Sequence, residues 1–202
     1  MSPYDIVAAF EERVAEYAGA KYGVAVNSCT NALMLSFKLR FMVGTERVVE
    51  LPRFTYVGVP YAVLAAGGTC AFRDEVWDGE YECPPFDVVD SARRFRRNMY
   101  HGGLHCLSFH WGKLLPVGRG GMILTDNAVD AELLRVMRFD GRTAGVPPSE
   151  DEFVTPGFHC YMIPEDAARG LMLMNYAKDW NADLPWDEYP DLSRWPIFTE
   201  GI

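Results

Sequence analysis

Short apolar segments alternate with segments of helical periodicity along most of this chain, and this alternation restricts the possible folds more than any other feature. Short apolar runs predict strands, and apolar residues recurring every three or four positions predict helices. Such an alternation is typical of an α/β protein with a mostly parallel sheet that helices cover on both faces. The predicted strands are 23–27, 47–51, 69–72, 87–90, 104–109 and 121–125, and the predicted helices are 2–18, 30–41, 55–66, 129–139 and 165–174.

The ends of the pattern suggest the domain organisation. Ser2 and Pro3 are predicted to begin the first helix, as N-cap and first helical residue. The 202 residues suit one large domain or two small ones. The pattern weakens after Gly141, and the helix 165–174 is its last clear element. We therefore predict one domain over 1–174 and an irregular C-terminal arm, rich in Trp, Asp and Pro, over 175–202.

Charge and cysteine content limit the classes of function. The net charge of −9 argues against a general nucleic-acid binder. The run Arg93–Arg97, with four arginines, is interpreted as a solvated helix turn, with a site for a phosphorylated or nucleotide-linked substrate as the alternative. Five scattered cysteines without a C-x-x-C pair indicate reduced thiols. No metal site is predicted, since two glycines make a helix between His101 and His105 improbable.

Targeting signals are also not predicted. No apolar run is long enough to cross a bilayer, and the first ten residues do not resemble a signal peptide. The expected location is therefore the cytoplasm, without membrane attachment.

Several polar residues follow predicted strands, where ligands bind in sheets of this class. The turn 27–31 opens a helix and could hold an anion on its free N–H groups, although Ser28 or Thr30 could equally be an ordinary N-cap. Asp90 ends an apolar strand, where a carboxylate is costly without a partner. Tyr56 follows another strand and could instead be a core residue.

Lys113 is unusual among the four lysines, because apolar residues and glycines flank it on both sides. A lysine kept from water has a lowered pKa and a nucleophilic amine. The alternative is a lysine at a strand end whose charge reaches water. Together with Ser108, an anion-binding turn, a buried carboxylate and an aromatic ring, this lysine meets the needs of pyridoxal 5'-phosphate.

These segments resemble the DegT/DnrJ/StrS-type sugar aminotransferases, which have the type I aminotransferase fold. The resemblance runs from about Phe10 to Met174 and is most specific over 108–126. The matching segments are Asn-Ser-Cys-Thr-Asn-Ala-Leu at 27–33, Pro-Arg-Phe-Thr-Tyr at 52–56, Val-Asp-Ser-Ala-Arg at 89–93, Ser-Phe-His-Trp-Gly-Lys at 108–113 and Gly-Phe-His-Cys-Tyr-Met at 157–162.

The resemblance implies a role for each residue. Lys113 would form the Schiff base with pyridoxal 5'-phosphate, and Asp90 would contact the pyridinium nitrogen; these two are the predicted catalytic residues. The phosphate would be held by the 27–33 turn and by Ser108, and Tyr56 would stack on the cofactor ring. The predicted cofactor-binding residues are Cys29, Thr30, Asn31, Tyr56, Asp90, Arg93, Ser108, Lys113 and His159.

The chain also departs from the family pattern. Cys29 and Asn31 replace Gly and Ala in the phosphate turn, and Arg93 replaces the Gln or His that contacts the cofactor's phenolic oxygen. His159 replaces an Asn that reaches the phosphate of the partner subunit. The family's helix and strand between positions 74 and 87 have no room, and its C-terminal domain is almost wholly absent.

The resemblance thus predicts a compacted aminotransferase with a truncated C-terminal domain, acting on a keto-sugar, nucleotide-linked or free, with an amino acid donor such as glutamate. It implies a homodimer. One alternative is a non-catalytic cofactor-binding or structural dimer. Another is a different pyridoxal-phosphate reaction on a sugar, although relatives that dehydrate sugars have His in place of the lysine, so Lys113 favours transamination.

Overall fold

The computed structural model describes residues 4–186 and 189–199. The predicted helix start at Ser2 and Pro3 lies outside the described residues, as do positions 187–188 and 200–202 of the predicted arm.

The observed elements follow the predicted order. The helices are α1 (Asp5–Ala18), α2 (Cys29–Val43), α3 (Gly58–Ala66), α4 (Ala128–Met137), α5 (Pro164–Met174) and α6 (Pro196–Thr199). The strands are β1 (Tyr22–Val26), β2 (Val48–Pro52), β3 (Thr69–Arg73), β4 (Tyr81–Glu82), β5 (Val88–Asp90), β6 (Leu104–Ser108) and β7 (Gly121–Thr125).

Local chemistry explains where several helices begin and end. Gly19 ends α1 in the left-handed conformation, with φ of 86°, which is unfavourable for residues with a Cβ atom. The side chain of Ser28 accepts a hydrogen bond from the backbone N–H of Asn31 and so caps α2. Helix α3 begins at Gly58, three residues later than the predicted start at Thr55.

The strands form two sheets. The larger sheet has the strand order β1-β7-β6-β5-β4, and β2 and β3 form a separate pair. The α/β class is confirmed, but the strand pairing is more mixed than the predicted mostly parallel sheet. The pairs β5–β6 and β2–β3 are parallel, whereas β1–β7, β6–β7 and β4–β5 are antiparallel.

The connections explain this mixed pairing. Strand β7 returns beside β6 through residues 109–120, which contain no helix that could cross the sheet, and the two strands run in opposite directions. Strand β4 has only two residues and turns back directly into β5. It lies in the shortened segment 74–87, where no strand was predicted, and two residues are too few to show a periodic pattern.

Helices cover both faces of the larger sheet, as predicted. One apolar core lies between the sheet and α2, α3 and α4, and includes Phe37, Leu104 and Ile123. The other lies between the sheet and α1 and α5, and includes Phe10 and Met122. Alternate residues of β7 contribute to opposite cores, as the pleat of a strand requires.

The predicted arm lies beyond α5. Its described part is irregular up to residue 191, and a 3₁₀ turn (Leu192–Arg194) and α6 follow. Leu192 and Phe198 are buried, so the arm is packed against the rest of the molecule. In the part of the chain that the structure describes, no helix is long and apolar enough to cross a membrane.

Candidate active site

A cavity of about 350 Å³ lies where the carboxyl ends of β5 and β6 meet the N-terminus of α2. Seven of the nine predicted cofactor-binding residues line it: Cys29, Thr30, Tyr56, Asp90, Arg93, Ser108 and Lys113. Asn31 and His159 are not among its lining residues. The fold therefore gathers residues that are up to 84 positions apart in sequence.

The N-terminus of α2 presents unsatisfied donors at this cavity. The backbone N–H groups of Cys29 and Thr30 have no hydrogen-bond partner among the described residues. The Thr30 hydroxyl also has none, and Ser108 Oγ accepts only a 3.5 Å contact from the His110 N–H. Free N–H groups at the positive end of a helix form an anion site.

Asn31 is used differently from the prediction. Its backbone N–H donates to Ser28 Oγ at 3.1 Å, and its side-chain amide donates to Asn27 Oδ1 at 2.6 Å. The N–H of Asn31 is thus occupied by the helix cap. The role of Asn31 in cofactor binding stays a prediction, without a free backbone N–H to support it.

Two glycines allow β7 to begin directly beside this turn. A Cβ atom on Gly121 would lie 2.6 Å from the backbone nitrogen of Cys29 and 2.7 Å from the carbonyl carbon of Ser28. Gly120 has φ of 118°, a conformation that residues with a Cβ rarely adopt. The absence of side chains at both positions therefore keeps the turn and the cavity open.

Asp90 lies at the end of β5 and is 5% exposed. Its Oδ1 accepts a hydrogen bond from the Ala92 N–H and its Oδ2 accepts one from the Tyr81 hydroxyl, each at 2.9 Å. Burial raises the pKa of Asp90, although these two donors and the positive charges of Lys113 and Arg93 lower it in part. A cation bound in the cavity beside Asp90 would therefore favour the charged form of this carboxylate.

Lys113 lies in the connection between β6 and β7, which is held by short backbone hydrogen bonds. The Phe109 N–H donates to Gly120 O at 2.9 Å, and the Gly118 N–H donates to Phe109 O at 3.1 Å. The amine of Lys113 has no hydrogen-bond or ion-pair partner among the described residues. Burial and then the nearby Arg93 charge lower the pKa of Lys113, while Asp90 acts in the opposite direction.

The remaining predicted residues lie at the edges of this arrangement. Tyr56 is 55% exposed, so the alternative that it is a core residue is wrong. His159 is exposed and its Nδ1 lies 2.8 Å from Asp140 Oδ2, away from the cavity of its own chain.

Three aromatic residues of the site were not predicted. Trp77 and Tyr189 line the cavity, and Tyr81 supports Asp90 from behind. Tyr81 precedes Asp90 by nine positions in a segment without clear periodicity, and Tyr189 lies in the arm. The one sequence feature that indicated a contribution of the arm to the cavity was its high aromatic content.

The histidine pair at 101 and 105 does come together, with ring centroids 4.2 Å apart, and Glu80 lies beside it. Both Glu80 oxygens already have protein partners, because Arg94 and His101 contact one and Ser91 donates to the other. These contacts describe a hydrogen-bonded network that fixes the segment before β4.

Comparison with known proteins identifies the fold. The sequence profile of the DegT/DnrJ/EryC1/StrS aminotransferase family matches residues 1–81 and 97–183. The spore coat polysaccharide biosynthesis protein SpsC of Bacillus subtilis is 26% identical over 212 aligned positions, which cover 80% of this chain and 54% of that protein.

Two solved structures share the architecture. The sugar aminotransferase CalS13 from Micromonospora echinospora superposes with a TM-score of 0.71 at 18% identity, over 85% of this chain and 60% of that one. A GDP-4-keto-6-deoxymannose-3-dehydratase with a trapped PLP-glutamate geminal diamine superposes with a TM-score of 0.71 at 16% identity, over 85% of this chain and 61% of that one.

The chain thus spans about half the length of the curated relative and about three-fifths of each structure. The structural likeness shows the type I aminotransferase fold. Because the family profile covers most of the chain, the protein belongs to the DegT/DnrJ/EryC1/StrS aminotransferase family.

Proposed function

We propose that this protein is a pyridoxal-phosphate-dependent aminotransferase that moves an amino group from an amino acid such as glutamate to a keto-sugar, free or nucleotide-linked. One observation carries the proposal. The cavity brings an unpartnered lysine amine, a buried carboxylate and a helix N-terminus with free N–H groups together. Membership of an aminotransferase family and likeness to a sugar aminotransferase support it.

The described residues fit this cofactor. Its phosphate would accept hydrogen bonds from the N–H groups of Cys29 and Thr30 and from the hydroxyls of Thr30 and Ser108, all of which have unused bonding capacity. Gly58 keeps this region open, since a Cβ there would lie 2.8 Å from both Thr30 Oγ1 and Tyr56 Cε1. Tyr56 would lie along the cofactor ring, and Arg93 would lie near its phenolic oxygen.

The bound cofactor supplies an electron sink for the bonds at the donor's α-carbon. Asp90 would hold the proton on the ring nitrogen, and the Tyr81 and Ala92 hydrogen bonds would keep its carboxylate oriented. Lys113 would hold the cofactor and then carry a proton between the two carbon atoms that flank the transferred nitrogen. Its lowered pKa favours the neutral amine that both tasks require.

The proposal extends to domains, assembly and location. Residues 1–174 would be the cofactor-binding domain and 175–202 its arm.

We further propose a cytoplasmic homodimer in which His159 reaches the partner's phosphate site. The His159 ring is exposed and lies outside the cavity of its own chain, which is consistent with that role. Trp111, 74% exposed beside Lys113, is apolar surface that a second subunit could cover. Sedimentation showing a stable cofactor-bound monomer would contradict the dimer.

The second candidate is a cofactor-binding or structural dimer without turnover. A third is sugar dehydration, which one of the two superposed structures carries out according to its name. Lys113 favours transamination over dehydration, because its amine can both hold the cofactor and carry the proton that amino transfer requires.

Two experiments test the proposal. Borohydride reduction with pyridoxal phosphate, followed by peptide mass mapping, should place the adduct on Lys113. An adduct on Lys21, Lys38 or Lys178 but not on Lys113 would refute the assignment.

In the second experiment, addition of glutamate alone should convert the cofactor to its amine form and release 2-oxoglutarate. Cofactor binding at Lys113 without this conversion would support the non-catalytic candidate.

A further inference from the structure

The four arginines between positions 93 and 97 contact the C-terminal arm, which was not predicted. This segment forms turns and no helix, so its interpretation as a helix turn is wrong. Arg94 contacts Asp183 and Arg97 contacts Asp179, each through short ion pairs. The Leu184 N–H also donates to the backbone oxygen of Arg93 at 3.0 Å. The arginines therefore fix the arm along the edge of the cavity.

Arg93 differs from the neighbouring arginines in its partner. Its Nε donates to the hydroxyl of Tyr189 at 2.9 Å, and its Cζ lies 4.7 Å from the centre of that ring. No carboxylate among the described residues lies within ion-pair distance of Arg93. Its two terminal nitrogens also have no hydrogen-bond acceptor among the described residues. The guanidinium thus keeps one edge with two donors free.

Arg93 and two aromatic residues beside it line the cavity. Tyr189 is itself held by Trp77, whose ring is nearly parallel to it at a centroid distance of 6.3 Å. Both rings and Arg93 line the cavity. The other arginine that lines it, Arg119, is already paired with Asp166 at 2.8 Å. Arg93 is therefore the cavity guanidinium, among the described residues, that lacks a counter-ion.

The charge of the cavity has a consequence for its ligands. Its lining contains three basic residues, Arg93, Lys113 and Arg119, and one acidic residue, Asp90. The cofactor's phosphate would use the α2 N-terminus, and Asp90 would meet a cation. Arg93 then remains available to a second anion. A planar guanidinium with two free donors on one edge matches a carboxylate with two hydrogen bonds.

We propose that Arg93 binds a carboxylate of the amino acid donor, and that Tyr189 of the C-terminal arm is a positioning residue that orients the guanidinium. This inference rests on the proposed function, because it assigns a subsite for the donor in the same cavity. The arm would thereby supply one wall of the donor site.

Binding of glutarate, the carbon skeleton of glutamate without its amino group, provides a test that does not depend on turnover. Isothermal titration of the cofactor-loaded protein compares the wild type with Arg93→Gln, Tyr189→Phe and Tyr176→Phe. Glutamine is one of the two residues, Gln or His, that the resemblance implies at this position, so Arg93→Gln keeps a donor for the cofactor and removes the charge. Tyr176 is 80% exposed in the same arm and provides the matched control.

The expected results differ between the variants. Arg93→Gln should weaken glutarate binding about tenfold to a hundredfold, the range for loss of a charged hydrogen-bonding partner. Tyr189→Phe should weaken it about twofold to tenfold, since only the orienting hydrogen bond is lost. Tyr176→Phe should leave the dissociation constant unchanged, and uncharged glutaramide should bind the wild type and Arg93→Gln equally.

Two outcomes would overturn the inference while the proposed function stands. The first is glutarate binding within twofold of wild type in Arg93→Gln. The second is loss of the cofactor from that variant, since the guanidinium would then serve the cofactor. Absence of any cofactor adduct on Lys113 in the wild type would instead contradict the proposed function itself.

Discussion

The hydroxyl of Tyr81 donates a 2.9 Å hydrogen bond to Oδ2 of Asp90, and Thr55 Oγ1 lies 2.6 Å behind it. Because the Tyr81 proton points to Asp90, Thr55 must donate to Tyr81. The two hydroxyls form a buried chain of hydrogen bonds that ends at Asp90, the carboxylate expected to contact the cofactor. The shortened segment 74–87 therefore contributes the residue that holds Asp90 in place.

Tyr81→Phe should destabilise the protein, because it leaves one oxygen of a buried carboxylate without a donor. The expected loss in the free energy of unfolding is about 1–3 kcal/mol. Urea unfolding measures it, with Tyr22→Phe as the control, since that half-buried hydroxyl has no hydrogen-bond partner within 4–186 and 189–199. Equal effects of both changes would contradict the importance of the bond.

Asp90 should make the stability of the cofactor-free protein depend on pH. Burial raises the pKa of Asp90 in the folded state above its value in the unfolded chain, which is about 3.9. Its contribution to stability is therefore complete below the unfolded pKa and is lost as the pH rises through the folded pKa. Asp90→Asn should gain stability relative to wild type as the pH rises from about 4. Unfolding by urea at several pH values checks this, and a difference that does not vary with pH would disagree with it.

Arg93→Gln should raise the pKa of Lys113, because the Arg93 charge is the second cause of its lowering after burial. With four lysines in the chain, ¹³C methylation of the cofactor-free protein gives few NMR signals to assign. Titration of the Lys113 signal measures the change, and the other three lysines provide internal references. An unchanged titration of Lys113 would show that the two cations are not coupled.

Gly121→Ala should disturb the phosphate turn, since the new methyl group would lie 2.6 Å from the Cys29 nitrogen. Backbone must move to admit it, at a cost of about 1–3 kcal/mol in stability. Gly112→Ala, in the same connection as Lys113, is the control, because the nearest atom to its methyl group is 3.7 Å away. Gly121→Ala should unfold at a lower temperature than Gly112→Ala and should retain less pyridoxal phosphate on dialysis.

The two arm aspartates should differ in their contribution to stability. Asp183 is 7% exposed and pairs with the half-buried Arg94, which keeps Glu80 as a second partner, so Asp183→Ala should cost about 1–3 kcal/mol. Asp179 is 75% exposed, and Asp179→Ala should cost less than about 1 kcal/mol. Urea unfolding compares the two, and similar values would indicate that the arm is not held through Asp183.

The sequence predicted those features that depend on local chemistry. Apolar periodicity located every strand of four or more residues correctly to within one or two positions, because burial on the sheet imposes that pattern. Asp90 and Lys113 were predicted to lie together because polar residues at strand ends meet at one edge of a sheet, and both line the cavity. Their chemical roles stay predictions.

Other features depend on contacts that no local pattern reveals. Strand β4 has two residues, and its direction was set by how the chain turns back before β5. The arginines at 93–97 resemble any exposed basic turn until their partners, more than 80 positions later, are known. Tyr189 reaches the cavity only because the arm is docked, so its role could not be predicted from neighbouring residues.

The pairing of β1 with β7 also affects the order in which the site can form during synthesis. The connection that contains Lys113 is closed by contacts over a few residues, so it can form as soon as it leaves the ribosome. The phosphate turn is made much earlier, but Val26 pairs with Gly121, so the turn has no sheet partner until β7 has emerged. The nascent chain would therefore bind its cofactor only after β7 has been synthesised, and the exposed β1 edge would need protection until then.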